Sequence, residues 1–434
     1  MLPYRRPLAG ICVITSLFYI YWLLSPDFDE KIRLYHKIDE GVLNSTLGFE
    51  KIFVINLPAR TDRRDAMSLA GAVSNLSFTW VSGLTGDQVP AIAVSANGAA
   101  SGLRSPGARG SWRSHMNAVE AVIEQDLGSA LIMEDDVDWD VRLKRQLLDF
   151  ASASRTWLGE ESRSRDPQQQ QQQQSELRGP TSQPPALTLG NERSAGMAMS
   201  EEYGKHTIPP SENAIIRDGR KATTGSIYGE DWDVLWLGHC GTDLPGPSQR
   251  DVVSPLKVAL ASDETVPHPQ HLRPHPFALP DKLGEAYPPR TRLVHAPRGT
   301  VCSLAYAVSR RGARKLARRF FGGEGPPPYQ WDLMLRDWCQ GGFAPPDDGG
   351  QRMTRGGGGG GDPPVCVTVQ PPLVSHYYAG GGASDIRGQG GGYARGRGSP
   401  YIRLSVRANL RRLVAGLPED EMVDQLPDDG EALW

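Results

Sequence analysis

Apolar and polar positions in this chain fall into short segments separated by turn formers. "KIFVINL", residues 51–57, is an apolar run closed by Pro58 and predicts a buried strand. Residues 62–73 predict a helix with Thr61 or Asp62 as its N-cap. "FTWVSGL", 78–84, predicts a second strand. From Ser111 to Leu127, Met116, Val119 and Ile123 share one face of a helix that Gly128 ends. "ALIM", 130–133, is a third strand, and it stops against Glu134, Asp135, Asp136, Asp138 and Asp140. Strands alternating with helices predict an α/β fold with a largely parallel central sheet flanked by helices.

The pattern then breaks. Residues 152–222 hold seven consecutive Gln (168–174) and much Ser, Pro and Arg, and predict a disordered insertion. Order resumes at "DWDVLWLGHCG", 231–241, followed by a Pro- and His-rich loop over 242–290. "VCSLAYAVS", 301–309, predicts a strand feeding the basic helix "RRGARKLARRFF". "WDLMLRDWC", 331–339, predicts a short helix. Six straight Gly mark a second low-complexity insertion, 341–363. "VCVTVQPPLVSHYY", 365–378, is the last strand. Residues 49–415 thus form the main domain, and 416–434 a loose acidic tail.

The N-terminus changes the setting. "LAGICVITSLFYIYWLL", residues 8–24, carries no charge, with Arg5 and Arg6 before it and Asp27, Asp29 and Glu30 after it. This predicts a single-pass type II anchor with a cytosolic tail at 1–7, a stem at 25–48 and a lumenal body. A short span suits the thin membranes of the endoplasmic reticulum or Golgi. A cleaved signal peptide is the alternative, but Ser25-Pro26-Asp27 is a poor cleavage site. Asn44-Ser45-Thr46 and Asn75-Leu76-Ser77 are glycosylation sequons. Cys240, Cys302, Cys339 and Cys366 can form two disulfides in any of three pairings, or stay as buried thiols. A net charge of −3 and a pI of about 6.3 give no argument for nucleic acid.

The carboxylates must therefore be read locally. Ligands of open α/β sheets sit beyond the carboxyl ends of the strands. Alternate residues of a strand point the same way, so Glu134, Asp136 and Asp138 can converge on one hard cation, Mn²⁺ or Mg²⁺, bound to a diphosphate. His376 can complete such a shell. Asp135 then faces away and holds backbone or an arginine. An EF-hand loop fails, since Val141 and Leu147 stand where Gly and Glu belong. An Asp-dependent phosphotransferase fits Asp136-Val137-Asp138 but not the following Trp139. A solvated acidic strand end is the plainest reading. Arg60, Arg63 and Arg64 follow the first strand, where cationic side chains beside a helix's positive end imply an anion.

"FVINLPARTDRR", "GSWRSHMNAV", "ALIMEDDVDW", "DVLWLG", "AYAVSRRGARKL" and "SDI" (384–386) occur in an order that resembles glycosyltransferase family 25. That family includes lipopolysaccharide and procollagen galactosyltransferases and many fungal proteins, and the resemblance is to a fungal-type member. It implies a GT-A-like fold and metal-dependent, inverting transfer of a sugar, galactose above all, from a UDP-sugar to a glycan or glycoprotein hydroxyl. It also implies that Asn56, Arg60, Asp62, Arg63 and Arg64 serve the nucleotide side, with Gly110, Ser114 and Asp135. Glu134 and Asp136 match the acidic motif. His115 matches a Ser-His motif, although bacterial members carry Gly-Cys where this chain has Gly110-Ser111. Asp332, at a helix start, is the candidate base, and a plain N-cap Asp is the alternative. A lumenal binding protein that has lost turnover is the rival from another class.

Overall fold

A computed structural model describes residues 40–94, 105–164, 201–210, 226–246, 253–273, 279–320, 329–342, 363–379 and 398–431. Among these, eleven strands form one sheet. In chain order they are β1 (Lys51–Asn56), β2 (Phe78–Ser82), β3 (Ser129–Glu134), β4 (Val137–Trp139), β5 (Thr207–Ile208), β6 (Val234–Gly238), β7 (Lys257–Leu260), β8 (Arg292–His295), β9 (Ala305–Ser309), β10 (Cys366–Gln370) and β11 (Val374–His376). The path runs β2-β1-β3-β9-β6-β10-β8-β7-β5, and β11 joins β4 to β6.

Helices cover both faces because successive strand residues point to opposite sides. Ile52, Val54, Leu131 and Met133 pack in one cluster with Met67 and Ala70 of α1 (Thr61–Val73). The same cluster takes Leu147, Phe150 and Trp157 of α3 (Leu143–Ser164). Phe53, Ala130 and Ile132 face the other way. There they meet Met116 and Val119 of α2 (Pro106–Glu124), Leu316 of α4 (Arg310–Phe320) and Met334 of α5 (Trp331–Cys339). The result is a three-layer α/β/α body.

The sheet is mixed, not largely parallel. β1 lies parallel to β2 and β3, as strand–helix–strand units require. β9, however, runs antiparallel between β3 and β6, and β8 runs antiparallel to β7 and β10. A strand buried on both faces reads as one apolar run in either direction, so its composition hides its sense.

Other boundaries shift as well. The helix expected to start at Ser111 starts at Pro106, capped by Ser105 Oγ on the Ala108 N–H. Arg60, not Thr61 or Asp62, is the N-cap residue of α1, with no side-chain cap bond. The expected disorder at 152–222 fails over 152–164. These residues continue α3, because Phe150, Trp157 and Leu158 fall at helical spacing and are buried. Residues 201–210 add a helical turn and β5. The loop expected at 242–290 contains β7, a 3₁₀ turn (Pro269–His271) and a short helix (Leu283–Ala286). The last strand splits at Pro371-Pro372, since proline cannot donate to a ladder.

Both ends of the body are ordered. Val42 and Leu47, placed in the stem by the sequence reading, are buried and pack with the body. The acidic tail packs too: Asn409 brackets Val423 by two hydrogen bonds, Asp424 pairs with Arg403, and Leu426 is fully buried. The four cysteines after the apolar run pair as Cys240–Cys302 and Cys339–Cys366. The apolar run 8–24, the glycine run and "SDI" lie outside the described residues. Among those described, no helix is long and apolar enough to cross a membrane.

Candidate active site

The acidic run does not continue as one strand. β3 ends at Glu134, the backbone turns through Asp135 and Asp136, and β4 starts at Val137. The alternation that would align Glu134, Asp136 and Asp138 is broken there. The carboxylates go three ways.

Asp135 and Asp136 meet the end of β1 and the start of α1. Asn56 Nδ2 donates to Asp135 Oδ2 at 2.7 Å. Arg63 Nη1 reaches Asp135 Oδ1 at 2.9 Å and Asp136 Oδ2 at 2.8 Å. Asp135 holds an arginine, but it does not face away from Asp136 as alternation implied, since the same Arg63 nitrogen reaches both carboxylates. β11 lies antiparallel to β4, with His376 opposite Val137. His376 Nε2 thus stands 3.3 Å from Asp136 Oδ2, and its ring stacks on Tyr378 at 4.3 Å. From the C-terminal segment, Arg407 donates to the carbonyls of Asp135 (3.0 Å) and Val137 (2.8 Å) and lies over Tyr377. Burial acts to raise the Asp136 carboxyl, but His376, Arg63 and Arg407 outweigh it and hold it well below the usual range. Burial and the adjacent Asp136 push Asp135 up. Among the described residues, three buried atoms around this turn have no hydrogen-bond partner: Asn56 Oδ1, Asp136 Oδ1 and His376 Nδ1.

Glu134 faces β9 and the loop before it. Ser303 Oγ donates to Glu134 Oε1 at 3.2 Å, and His115 Nε2 is 3.5 Å from the same oxygen. Nδ1 of His115 lies 3.0 Å from Tyr306 Oη, and its buried ring stacks on Trp331. Glu134, His115 and Ser303 are thus brought together. Asp332 sits nearby as the second residue of α5, not its N-cap, and its Oδ2 accepts the Cys302 N–H at 2.9 Å. Burial raises its carboxyl, and the negative Glu134 adds to that.

Asp138 is not with the other proposed metal ligands. It is fully buried and binds the C-terminal segment: Oδ2 accepts Ser399 Oγ (2.6 Å) and the Ser405 hydroxyl, while Oδ1 accepts the N–H groups of Trp139 and Arg407. Asp140 likewise takes the Leu404 N–H and Arg142. A carboxylate buried among four donors is an anchor rather than a ligand facing a cleft.

The remaining nucleotide-side residues divide. Arg60 pairs with Asp62, whose carboxyl this guanidinium lowers to about 2. Arg64 lies over the Trp80 ring at 4.5 Å. The anion expected beside these arginines is thus supplied in part by the chain itself. Gly110 and Ser114 build the floor under the loop after β2. A Cβ at Gly110 would sit 2.2 Å from Leu84 O, and Ser114 Oγ links the Leu84 N–H to Gly110 O. Arg407, Ser303, Ser399 and Ser405 were not identified from sequence. The alternation of Ile402, Leu404 and Val406 was a usable sign that their segment packs.

Among the described residues, no three His, Cys, Asp or Glu side chains group so as to hold an ion. A magnesium-like cation on a diphosphate needs only one or two protein ligands. Among the described residues, Asp136 fits that smaller role through its buried, unpartnered Oδ1, whereas His376 faces Asp136 Oδ2 through Nε2, so its unpartnered Nδ1 lies on the far side of the ring from that carboxylate. Glu134 and Asp138 do not join Asp136.

Residues 49–178 match the model of the family described as glycosyltransferase family 25 (LPS biosynthesis protein). The resemblance read from the sequence holds over this stretch, which contains β1 to β4 and the acidic turn. The chain is 30% identical over 111 residues to procollagen galactosyltransferase 1 of Danio rerio, covering 23% of this chain and 18% of that protein. It is 30% identical over 125 residues to procollagen galactosyltransferase 2 of Mus musculus, covering 26% and 20% respectively. The chain thus spans about a fifth of the length of the curated relatives it matches.

Proposed function

We propose that this chain is a glycosyltransferase. It moves a sugar, galactose in the first instance, from a uridine-diphosphate donor to a hydroxyl of a glycan or glycoprotein, inverting the anomeric carbon. The observation that carries this reading is the turn at Asp135-Asp136. It lies in the family-matched segment, at the carboxyl ends of β1 and β3, with Arg63 between its carboxylates and unpartnered atoms on Asn56, Asp136 and His376. Manganese or magnesium, when held by Asp136 with the His376 ring turned to present a nitrogen, would offset the charge of the departing diphosphate. Arg63 is already fixed by two carboxylates and loses little freedom in binding.

Glu134 is favoured as the base. Ser303 and His115 orient its carboxylate, and it remains partly exposed, whereas Asp332 spends one oxygen on the Cys302 N–H. Glu134 would take the acceptor hydroxyl's proton as that oxygen bonds to the anomeric carbon and the carbon–phosphate-oxygen bond breaks. The uncharged 8–24 run supports a type II anchor with the body in the Golgi or endoplasmic reticulum lumen, and two disulfides suit that compartment. The test is release of UDP from UDP-galactose by the full chain with manganese, with a collagen-like or glycan acceptor present and absent. Donor binding without UDP release under any acceptor would overturn the enzyme reading in favour of a binding protein.

A further inference from the structure

The two sequons lie side by side at the amino ends of the parallel strands. Asn44-Ser45-Thr46 precedes β1, and Asn75-Leu76-Ser77 precedes β2. The Ser77 N–H donates to Ser45 O at 2.8 Å, and Lys144 Nζ donates to Leu43 O (2.8 Å) and Asn75 O (3.3 Å). The acidic turn lies at the opposite end. β1 alone separates the two by five residue steps, roughly 17 Å.

The two asparagines differ in what holds them. Asn44 Oδ1 accepts three hydrogen bonds: Thr46 N–H at 2.9 Å, Thr46 Oγ1 at 3.1 Å and Gly48 N–H at 3.1 Å. Its amide nitrogen makes no hydrogen bond among the described residues, and the residue is exposed. This Asx turn forms within five residues and needs no tertiary partner. Three donors on the oxygen draw electrons from the amide and loosen its N–H. Asn75 is also exposed, but it closes α1 at φ +51°, and no hydroxyl reaches its side chain among the described residues. Its neighbour Leu76 is tucked into the core.

We propose that Asn44 carries an N-linked glycan and that Asn75 does not. The inference rests on the lumenal reading above. Asn44 Nδ2 loses a proton and bonds to the first sugar of a lipid-linked oligosaccharide. That sugar's bond to the lipid diphosphate breaks, and the diphosphate leaves. The glycan then covers the half-exposed Leu43 and leaves the carboxyl end of the sheet open.

The test uses the full chain, made in eukaryotic cells, with a reporter sequon in a short tag after Trp434. Peptide-N-glycosidase treatment and glycopeptide mass spectrometry follow. One glycan's mass besides the tag's is expected on the parent and on Asn75→Gln. It should be absent from Asn44→Gln and from Thr46→Ala, which keeps the asparagine and removes the hydroxyl. A modified tag with a bare Asn44 overturns the site while the lumenal reading stands. A bare tag overturns both. A glycan on Asn75 overturns the choice between the sequons.

Discussion

Asp138 and Asp136 are two residues apart, yet they should fail in opposite ways. In Asp138→Ala, four donors lose their acceptor. The Ser399 and Ser405 hydroxyls can re-aim, but the amides of Trp139 and Arg407 cannot. Each stranded buried amide costs about 1–3 kcal/mol, so the two cost roughly 2–6 kcal/mol. Removing a buried charge, whose burial already pushes its carboxyl up, offsets part of this. The lower half of the range, roughly 2–4 kcal/mol, corresponds to a melting drop of about 5–15 °C. The segment from Ser399 to Arg407 should also become open to proteases. At temperatures below melting, the variant should still bind manganese and UDP.

Asp136→Asn should do the reverse. Its volume is kept, and Asp135 still holds Arg63, so melting falls less than in Asp138→Ala. Manganese-dependent UDP binding should drop by at least about 10–100-fold, the cost of disturbing even the outer-shell partners of a metal's ligands. Calorimetric binding and thermal melting of the full chain measure both quantities on each variant. If Asp138→Ala melts like the parent and loses manganese-dependent binding, Asp138 is a ligand and the division of the acidic run drawn here is wrong.

Three further outcomes are expected. Glu134→Gln should lower kcat by about 10²–10⁴-fold with little change in donor binding, as loss of a general base does; a kcat within threefold of the parent would return that role to Asp332. Arg407→Lys removes the planar fork that ties Asp135 O to Val137 O, and a displaced turn should cost on the order of 10²-fold in kcat/KM; unchanged kinetics would show that the turn holds itself. Burial lowers His239 from 6.5 to about 4, so the unfolded chain takes a proton in that window and the native chain does not. Stability should therefore fall as pH drops from 6.5 to 4, by roughly 3 kcal/mol from this residue alone. Denaturant melts across that window should show a shallower loss in His239→Gln, and parallel curves would contradict the assignment.

What was legible in the sequence followed from local rules. β1, β3 and α5 were visible because an apolar run or a helical stripe needs only neighbouring residues to be read. Arg63 and the acidic cluster were legible for the same reason, lying where strands end and a crevice opens, whereas Asn56 was implied by the family resemblance alone. The division of the cluster was not, since the period-2 rule assumes the strand continues. Two adjacent Asp are themselves turn formers, and that signal favoured a break at Asp135-Asp136. Strand direction in β8 and β9 depends on partners far along the chain. Arg407 lies 272 residues from Asp135, and a single arginine at that distance carries no pattern. The residues of the site therefore have different origins. Asn56, Arg63 and the acidic turn come from the family-matched stretch, whereas Ser303, Asp332, His376 and Arg407 come from beyond residue 178. On the proposed mechanism each part of the site draws on both stretches: His376 and Arg407 meet the acidic turn that faces the diphosphate, and Glu134 with His115 meets Ser303 where the hydroxyl reacts. Acceptor preference should then move with substitutions around Ser303 and Asp332, which the matched stretch does not contain.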